Sequence, residues 1–417
     1  MDLLKCMKLL FISSDKFPPY RVDIDVLFGQ ELRRRGYNID WILQSNTPCS
    51  TTHITKWGNW NVWVGKTNLG HKKLDRINKH ILSFINDLKV FSLLKSKNYD
   101  FLQVKDKFLS ASIALFACKA LRVRYIYWLS FPFPEESLYK IREGTARYPF
   151  LYFLRGHTFS FILYKIILRR ADHIIVQSEQ MKKDILEKIK IPARRITAVP
   201  MGVNLSSIPY ELLDSMNMSQ QNMDFNIVYL GTLDRNRRIV FLVRVFALVL
   251  QRQSNCKLFL VGGENDESDI QLLKTEIQRL GLQESVILTG FLPMSEAWEH
   301  VRQASVCLSF YYPTPILNST SPTKLVEYMA MGKPVVANEH PEQRLIIEQS
   351  GCGYCVQYDE KEFAEAIISI LQDKEKAKLM GAKGRKYVEQ YRSYSNISSF
   401  LHDTYTQILK GNEADVF

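Results

Sequence analysis

Residues 321–337, SPTKLVEYMAMGKPVVA, place Lys324 and Glu327 one helical turn apart, just behind Ser321 and Pro322. A serine followed by a proline suits a helix start, the hydroxyl capping free amides and the proline taking the first helical position. Such an end carries about half a positive charge and several unpaired N–H groups, so it attracts anions. Lys324 adds a full charge at the same place. Glu327, near the same end, can accept hydrogen bonds from a diol such as ribose while a phosphate occupies the helix end. The plainer alternative is an exposed helix on which Lys324 and Glu327 pair, for about a few tenths of a kcal/mol.

A second phosphate-binding candidate is YLGTLDRNRRI, residues 229–239, where a strand runs into Gly231 and then Arg235, Arg237 and Arg238. Glycine lets backbone approach a ligand, and arginines beyond it can clamp a diphosphate. Neither stretch supplies a nucleophile. Of the seven cysteines only Cys352 and Cys355 form a C-x-x-C pair. No second pair or histidine cluster accompanies them, so the pair reads as structural, and no metal and no cofactor are expected.

These residues need a scaffold that brings loop ends together. A chain of 417 residues with 46% hydrophobic content exceeds what one core usually serves, so two domains of about 200 residues each are expected. Short apolar runs alternate with amphipathic ones, the pattern of helices packed on a parallel sheet. Strands are expected in MKLLFISS, YNIDWILQ, DFLQVK, VRYIYWLS, HIIVQS and ITAVPMGV, and then in FNIVYLG, CKLFLVGG, SVILTG, SVCLSF and KPVVAN. The polar stretch at 204–224 marks a boundary, giving domains 1–205 and 206–393, with a helix at about 394–417 packing back on the first. The fold class is therefore α/β, two Rossmann-like βαβ domains facing each other across a cleft where ligands of such sheets bind.

Charge is divided unevenly. Residues 1–200 hold 34 Lys and Arg against 17 Asp and Glu, whereas residues 201–417 hold 21 against 26. One basic lobe suggests an anionic surface or substrate, with membrane phosphates and nucleic acid both eligible. The N-terminal MDLLKCMKLLFISS has a short apolar run interrupted by Lys5 and Lys8 and no small-residue cleavage site, so it reads as a first buried strand rather than a signal peptide. A reducing cytosol follows as the expected compartment.

The chain resembles the retaining glycosyltransferases of family four, which have the two-Rossmann-domain GT-B architecture. The resemblance is carried by YLGTLDRNRR, LFLVGGENDE, VILTGFLP, SPTKLVEYMAMGKPVVANEHPEQRLIIEQSGCGYCV and GRKYVEQYRSY in the second half. In the first half it is carried by LFISSDKFPPYRVDIDVLFGQELRRRGYNIDWIL, RADHIIVQSEQMKKDIL and VPMGVN. It implies that Glu327 is the second glutamate of the family's pair and binds the nucleotide ribose. The first glutamate would fall at Ser319, so the contact to the donor sugar is altered. Arg238 aligns with the lysine that meets the donor diphosphate. Thr232 stands where many members have arginine, and Arg235 or Arg237 supplies the missing charge. Arg238, Lys324 and Glu327 are then the catalytic set, with Gly231, Thr232, Gly262, Phe291, Ser319, Ser321 and Thr323 on the donor side.

Two departures concern the first half. The paired glycines after FPP are replaced by YRVDID, and the histidine after the fourth strand is absent from YWLSFPFPEE. Asp23, Asp25 and Glu135 are acceptor-side candidates, against the alternative of charges complementing helix starts. The implied chemistry is metal-independent transfer with retention, driven by electrostatic stabilisation of a departing diphosphate. The implied donor is a nucleotide sugar, with a UDP-sugar the commonest kind.

Residues 147–170, RYPFLYFLRGHTFSFILYKIILRR, are aromatic and aliphatic with basic ends, interrupted by Arg155, His157 and Lys165. They fall short of the roughly 18 uncharged residues of a membrane span. They suit an interfacial helix on an anionic membrane, or else a core helix of the first domain. The expectation is thus a peripheral enzyme on the cytoplasmic membrane face, with a lipid-linked or glycan acceptor and no nucleic acid. A nucleotide-sugar epimerase of the same fold, or a non-catalytic nucleotide-sugar-binding subunit, are the alternatives.

Overall fold

The computed structural model describes residues 7–67, 73–208, 225–234, 237–263 and 267–410. Most of the expected boundary at 204–224, and the last residues of the expected helix at 394–417, lie outside them. Two compact units are present: one runs to Pro200 and takes in the chain again from Tyr394, and the other is Met201–Ser393.

The first unit is built on eight strands: β1 Lys8–Phe17, β2 Asn38–Ser45, β3 His53–Trp57, β4 Trp60–Gly65, β5 Phe101–Lys105, β6 Arg124–Leu129, β7 His173–Val176 and β8 Ile196–Ala198. Their order is β3-β4-β2-β1-β5-β6-β7-β8, parallel except for β3, which pairs antiparallel with β4. The β3–β4 hairpin is absent from the expected strands. It turns at Gly58, which has φ +62°. Alternation along β1 divides the core: Leu10 and Ile12 join one buried cluster with helix Phe108–Leu121, while Leu9 and Phe11 join another with helix Asp23–Leu32. Helix Tyr394–Lys410 belongs to that second cluster through Tyr394, Ile397, Leu401 and Tyr405. It is tied further by Tyr405 Oη donating to Gln103 at 2.6 Å.

The basic segment at 147–170 is helical from Pro149 onward, as Pro149–Phe161, Ile162–Ile167 and Leu168–Arg170, while Arg147 and Tyr148 precede the helix. Its two halves differ in environment. Leu163, Ile167 and Leu168 are fully buried in the core, whereas Phe150 is 75% exposed and Leu151, Phe153 and Leu154 are also exposed. Among the described residues no helix is long and apolar enough to cross a membrane.

The second unit carries six parallel strands: β9 Phe225–Leu230, β10 Cys256–Val261, β11 Val286–Gly290, β12 Val306–Ser309, β13 Val335–Asn338 and β14 Gly353–Val356. Their order is β11-β10-β9-β12-β13-β14. Near-continuous burial of the central strands is what a sheet covered on both faces requires. Ile227 and Tyr229 face one cluster, and Val228 faces another that contains Leu325, Val326 and Met329 of helix Thr323–Ala330. Cys352 and Cys355 are free thiols, with Cys355 inside β14.

Candidate active site

In the second unit the chain builds outward from β9 through β10 and β11, then returns to β9's other side with β12. The strand order therefore reverses between β9 and β12. The carboxyl ends of strands at such a reversal leave a crevice, and here they are the Gly231 loop and Phe310–Tyr311.

Lys324, the second residue of helix Thr323–Ala330, reaches this crevice. Its Nζ donates to Tyr229 Oη at 2.6 Å, and Tyr229 Oη in turn donates to the Thr232 carbonyl at 3.4 Å. The ammonium also lies 4.3 Å from the Tyr229 ring centroid and 5.9 Å from that of Tyr311. Asn338 holds Tyr311 in place, accepting from its N–H at 2.8 Å and donating to its carbonyl at 2.7 Å. Burial and the nearby charge of Arg237 hold the Lys324 pKa well below its ordinary value, and Glu327 and Asp234 only partly oppose them. Gly231 makes room for this lysine. Its φ is +152°, and a Cβ there would meet Lys324 Nζ at 2.5 Å. Gly262, at φ +139°, is pressed against the Gly231 carbonyl in the same way.

Glu327 lies one turn further along, half-buried, and no hydrogen bond or ion pair to its carboxylate is present among the described residues. Burial pushes its pKa up to about 7, with Lys324 acting in the opposite direction. A half-buried carboxylate without donors can gain them from a ligand.

The arginines separate. Arg237 donates its N–H to the Asp234 carbonyl at 3.0 Å, and its charge acts on Lys324, Tyr229 and Tyr311. Arg238 is exposed, has φ +50°, and stacks over Tyr312 at 3.9 Å from the ring centroid. It lines a cavity with Asp234, Phe241, Arg244 and Tyr358. Arg235 lies outside the described residues. Thr232 is half-buried in the loop, and Phe291 is exposed with its ring over Gly263.

Ser321 does not cap the helix. The N-cap residue is Pro322, with no side-chain cap, and Thr323 opens the helix by donating its N–H to the Ser321 carbonyl at 3.1 Å. The Ser321 hydroxyl instead accepts from the Met201 N–H at 3.0 Å and donates to Glu342 Oε1 at 3.5 Å. The physical reason is competition: Glu342, already paired with buried Arg392 at 2.8 Å, draws the hydroxyl away from the helix amides. Apart from the Thr323 N–H, those first-turn amides therefore have neither a serine cap nor an intrahelical acceptor. Ser319 is buried and donates to the Pro315 carbonyl at 3.3 Å.

Three members of this site carried no signal as site residues. Tyr229 lies in β9 and Tyr311 just beyond the end of β12, and neither carries a charge. His340 caps helix Pro341–Ser350 through Nδ1 and donates from Nε2 to the Leu317 carbonyl at 2.9 Å. Its pKa is lowered to about 4 by burial, consistent with a neutral ring.

In the first unit Asp23 is buried and saturated. Arg21 donates to it from Nε and Nη2 at 3.0 and 3.1 Å, and Lys105 at 2.6 Å. Asp25 accepts from Gln30 at 3.3 Å. Glu135 accepts from Tyr164 and from Lys188, each at 2.6 Å, which makes it a tie between helices Phe133–Arg142 and Glu179–Lys188. Asp106, at φ +61°, accepts from the Ser130 N–H at 2.7 Å and from the Ser130 hydroxyl. Burial raises its pKa above the ordinary carboxylate value.

Comparison with known proteins agrees with this geometry. Residues 26–207 match the sequence model of Glycosyltransferase Family 4, and residues 216–387 that of Glycosyl transferases group 1. The two matches together span most of the chain, and this protein belongs to the family-four-like glycosyltransferases of GT-B architecture. It is 23% identical over 295 residues to an alpha-monoglucosyldiacylglycerol synthase of Streptococcus pneumoniae, covering 68% of this chain and 61% of that protein, less than two thirds of its length. It is 25% identical to the capsular polysaccharide biosynthesis glycosyltransferase CapM of Staphylococcus aureus, covering 66% of this chain and 72% of that one. Among solved structures, sucrose-phosphate synthase from Thermosynechococcus elongatus has a TM-score of 0.69 at 19% identity, covering 97% of this chain and all (100%) of that one. Anabaena HepE in complex with UDP has a TM-score of 0.68 at 14% identity, covering 96% and 100%.

Proposed function

We propose that this glycosyltransferase is a retaining, metal-independent hexosyltransferase that moves a sugar from a UDP-sugar to a lipid-linked cell-surface glycan acceptor at the cytoplasmic face of an anionic membrane. The observation that carries the reading is the placement of Lys324 on Tyr229, at the uncapped start of helix Thr323–Ala330 and against Gly231. Uncapped amides, a lysine and a nearby arginine are what a diphosphate needs in order to depart without a metal ion. A dianion entering the crevice offsets the burial that depresses the Lys324 pKa and restores its full charge. Negative charge grows as the sugar–phosphate bond breaks, so these donors act more strongly in the transition state than on the bound donor. Glu327 accepts the ribose hydroxyls. With retention, the departing phosphate itself takes the acceptor proton, so no protein nucleophile is called for.

The relatives support the donor and acceptor classes. HepE is solved with UDP and with UDP-glucose, and the two relatives named above are a monoglucosyldiacylglycerol synthase and a capsular polysaccharide glycosyltransferase. The exposed apolar half of helix Pro149–Phe161, in the basic half of the chain, supports the membrane as partner.

Calorimetry with UDP, followed by transfer from radiolabelled UDP-glucose into a membrane extract with and without EDTA, tests the reading. UDP binding and EDTA-insensitive labelling of extractable lipid are expected. Donor conversion without acceptor points to an epimerase, and binding without turnover points to a non-catalytic subunit.

A further inference from the structure

The first unit has its own strand-order reversal, between β1 and β5, and the carboxyl ends of these strands carry a group of charged side chains. Ser13 is the last residue of β1 in register with β5, opposite Lys105, and the pairing of β1 with β2 slips between Ile12 and Lys16. Asp15 therefore stands on a bulge that has left both ladders, a geometry that re-aims side chains beside functional sites.

The carboxylate of Asp15 is held from one side only. Oδ2 accepts from the Ser13 hydroxyl and lies 3.5 Å from Lys105 Nζ. Oδ1 accepts no hydrogen bond among the described residues, its nearest cation being Arg21 Nε at 3.6 Å. The side chain is 7% exposed, and Oδ1 is not fully buried, so a hydroxyl arriving from solvent can reach it. Arg21 uses Nε and Nη2 on Asp23. Its Nη1 is in no hydrogen bond among the described residues, and its side chain is 36% exposed. Asp23 and fully buried Lys105 lock the pair from behind. A carboxylate oxygen open to a donor next to a guanidinium with a donor to give is complementary to two neighbouring hydroxyls of a sugar, one donating and one accepting.

We infer that Asp15 and Arg21 bind vicinal hydroxyls of the glycosyl acceptor, with Asp23 and Lys105 as positioning residues. This rests on the reading of the chain as a sugar transferase and assigns its acceptor contact to Asp15 rather than to the saturated Asp23.

The probe is methyl α-D-glucopyranoside, observed by saturation-transfer NMR on the full chain with and without UDP, while calorimetry follows UDP on the same samples. Wild-type protein is expected to saturate the glycoside. Asp15→Asn should lower glycoside affinity by about tenfold, as for one hydrogen bond to a charged group, with UDP affinity and melting temperature kept. A folded Asp15→Asn that saturates the glycoside as well as wild type overturns the assignment, and so does a wild type that gives no signal. If Asp15→Asn does not fold, Arg21→Lys decides. It keeps the charge opposite Asp23 but loses the fork, and an undiminished glycoside signal overturns the inference. Failure of wild type to bind UDP counts against the transferase reading instead, because the glycoside arm is also read without nucleotide.

Discussion

Lys324 and Tyr229 sit 95 residues apart in sequence and meet through a 2.6 Å hydrogen bond, with the ammonium also over the phenol ring. The lysine comes from a helix start and the tyrosine from the strand beneath it, so the contact aims a cation at the place where the sheet's strand order reverses. Tyr229→Phe keeps the packed ring and removes the hydroxyl. UDP affinity should fall by about 1 kcal/mol, the net worth of one such bond, with the melting temperature nearly unchanged. Calorimetry checks it; equal affinity would mean that the phenol only fills space.

The two arginines beyond Gly231 give a ranking. Arg237, whose charge reaches Lys324, should matter more for UDP affinity and turnover than Arg238, which stacks on Tyr312. Comparing Arg237→Gln with Arg238→Gln in calorimetry and in a UDP-release assay tests this. The reverse order would return the diphosphate contact to the residue that family alignment picks.

Glu327 sets a pH dependence. Its pKa in the free protein is raised to about 7 by burial, and ribose hydroxyls donating to it favour the ionised form, so UDP binding releases a proton there. Affinity should be constant above that pKa and fall as pH drops through 7. Stability has the opposite sign. A carboxyl with a raised native pKa binds more protons folded than unfolded, so its contribution is lost as pH rises from the ordinary value of 4.5 towards 7. Glu327→Gln should therefore melt higher than wild type at pH 8, equal it at pH 4, and lose the pH dependence of UDP affinity below 7. A melting difference that does not vary with pH would sink the assignment.

The parallel strands were legible because strands covered on both faces read as continuous apolar runs, and Lys324 and Glu327 because their spacing declares a helix face. What was hidden depends on partners far along the chain. Ser321 looks like a cap until Met201 and Glu342 arrive to bind its hydroxyl. Asp15 looks like a loop acid until Lys105 closes in from β5. The β3–β4 hairpin escaped because its turn, Trp57-Gly58-Asn59-Trp60, lies between short runs, and β3 is mostly exposed.

The helical segment from Pro149 to Arg170 combines both environments that its sequence allowed. Its second half packs in the core through Leu163, Ile167 and Leu168, and its first half exposes Phe150, Leu151, Phe153 and Leu154 near Arg147 and Arg155. Substitutions should therefore divide at about residue 162. Arg155→Gln and Arg147→Gln should each weaken sedimentation with anionic liposomes by about 1 kcal/mol, an effect that fades at high salt as the charges are screened. Phe150→Ser with Leu154→Ser should weaken it at high and low salt alike, because apolar burial is not screened, and should leave the melting temperature unchanged. Ile167→Ala should do the converse, lowering stability by about 2–5 kcal/mol while the remaining folded protein still sediments. If wild type stays in the supernatant with anionic liposomes at low salt, the exposed half is not a membrane surface, and a soluble glycan becomes the acceptor to test.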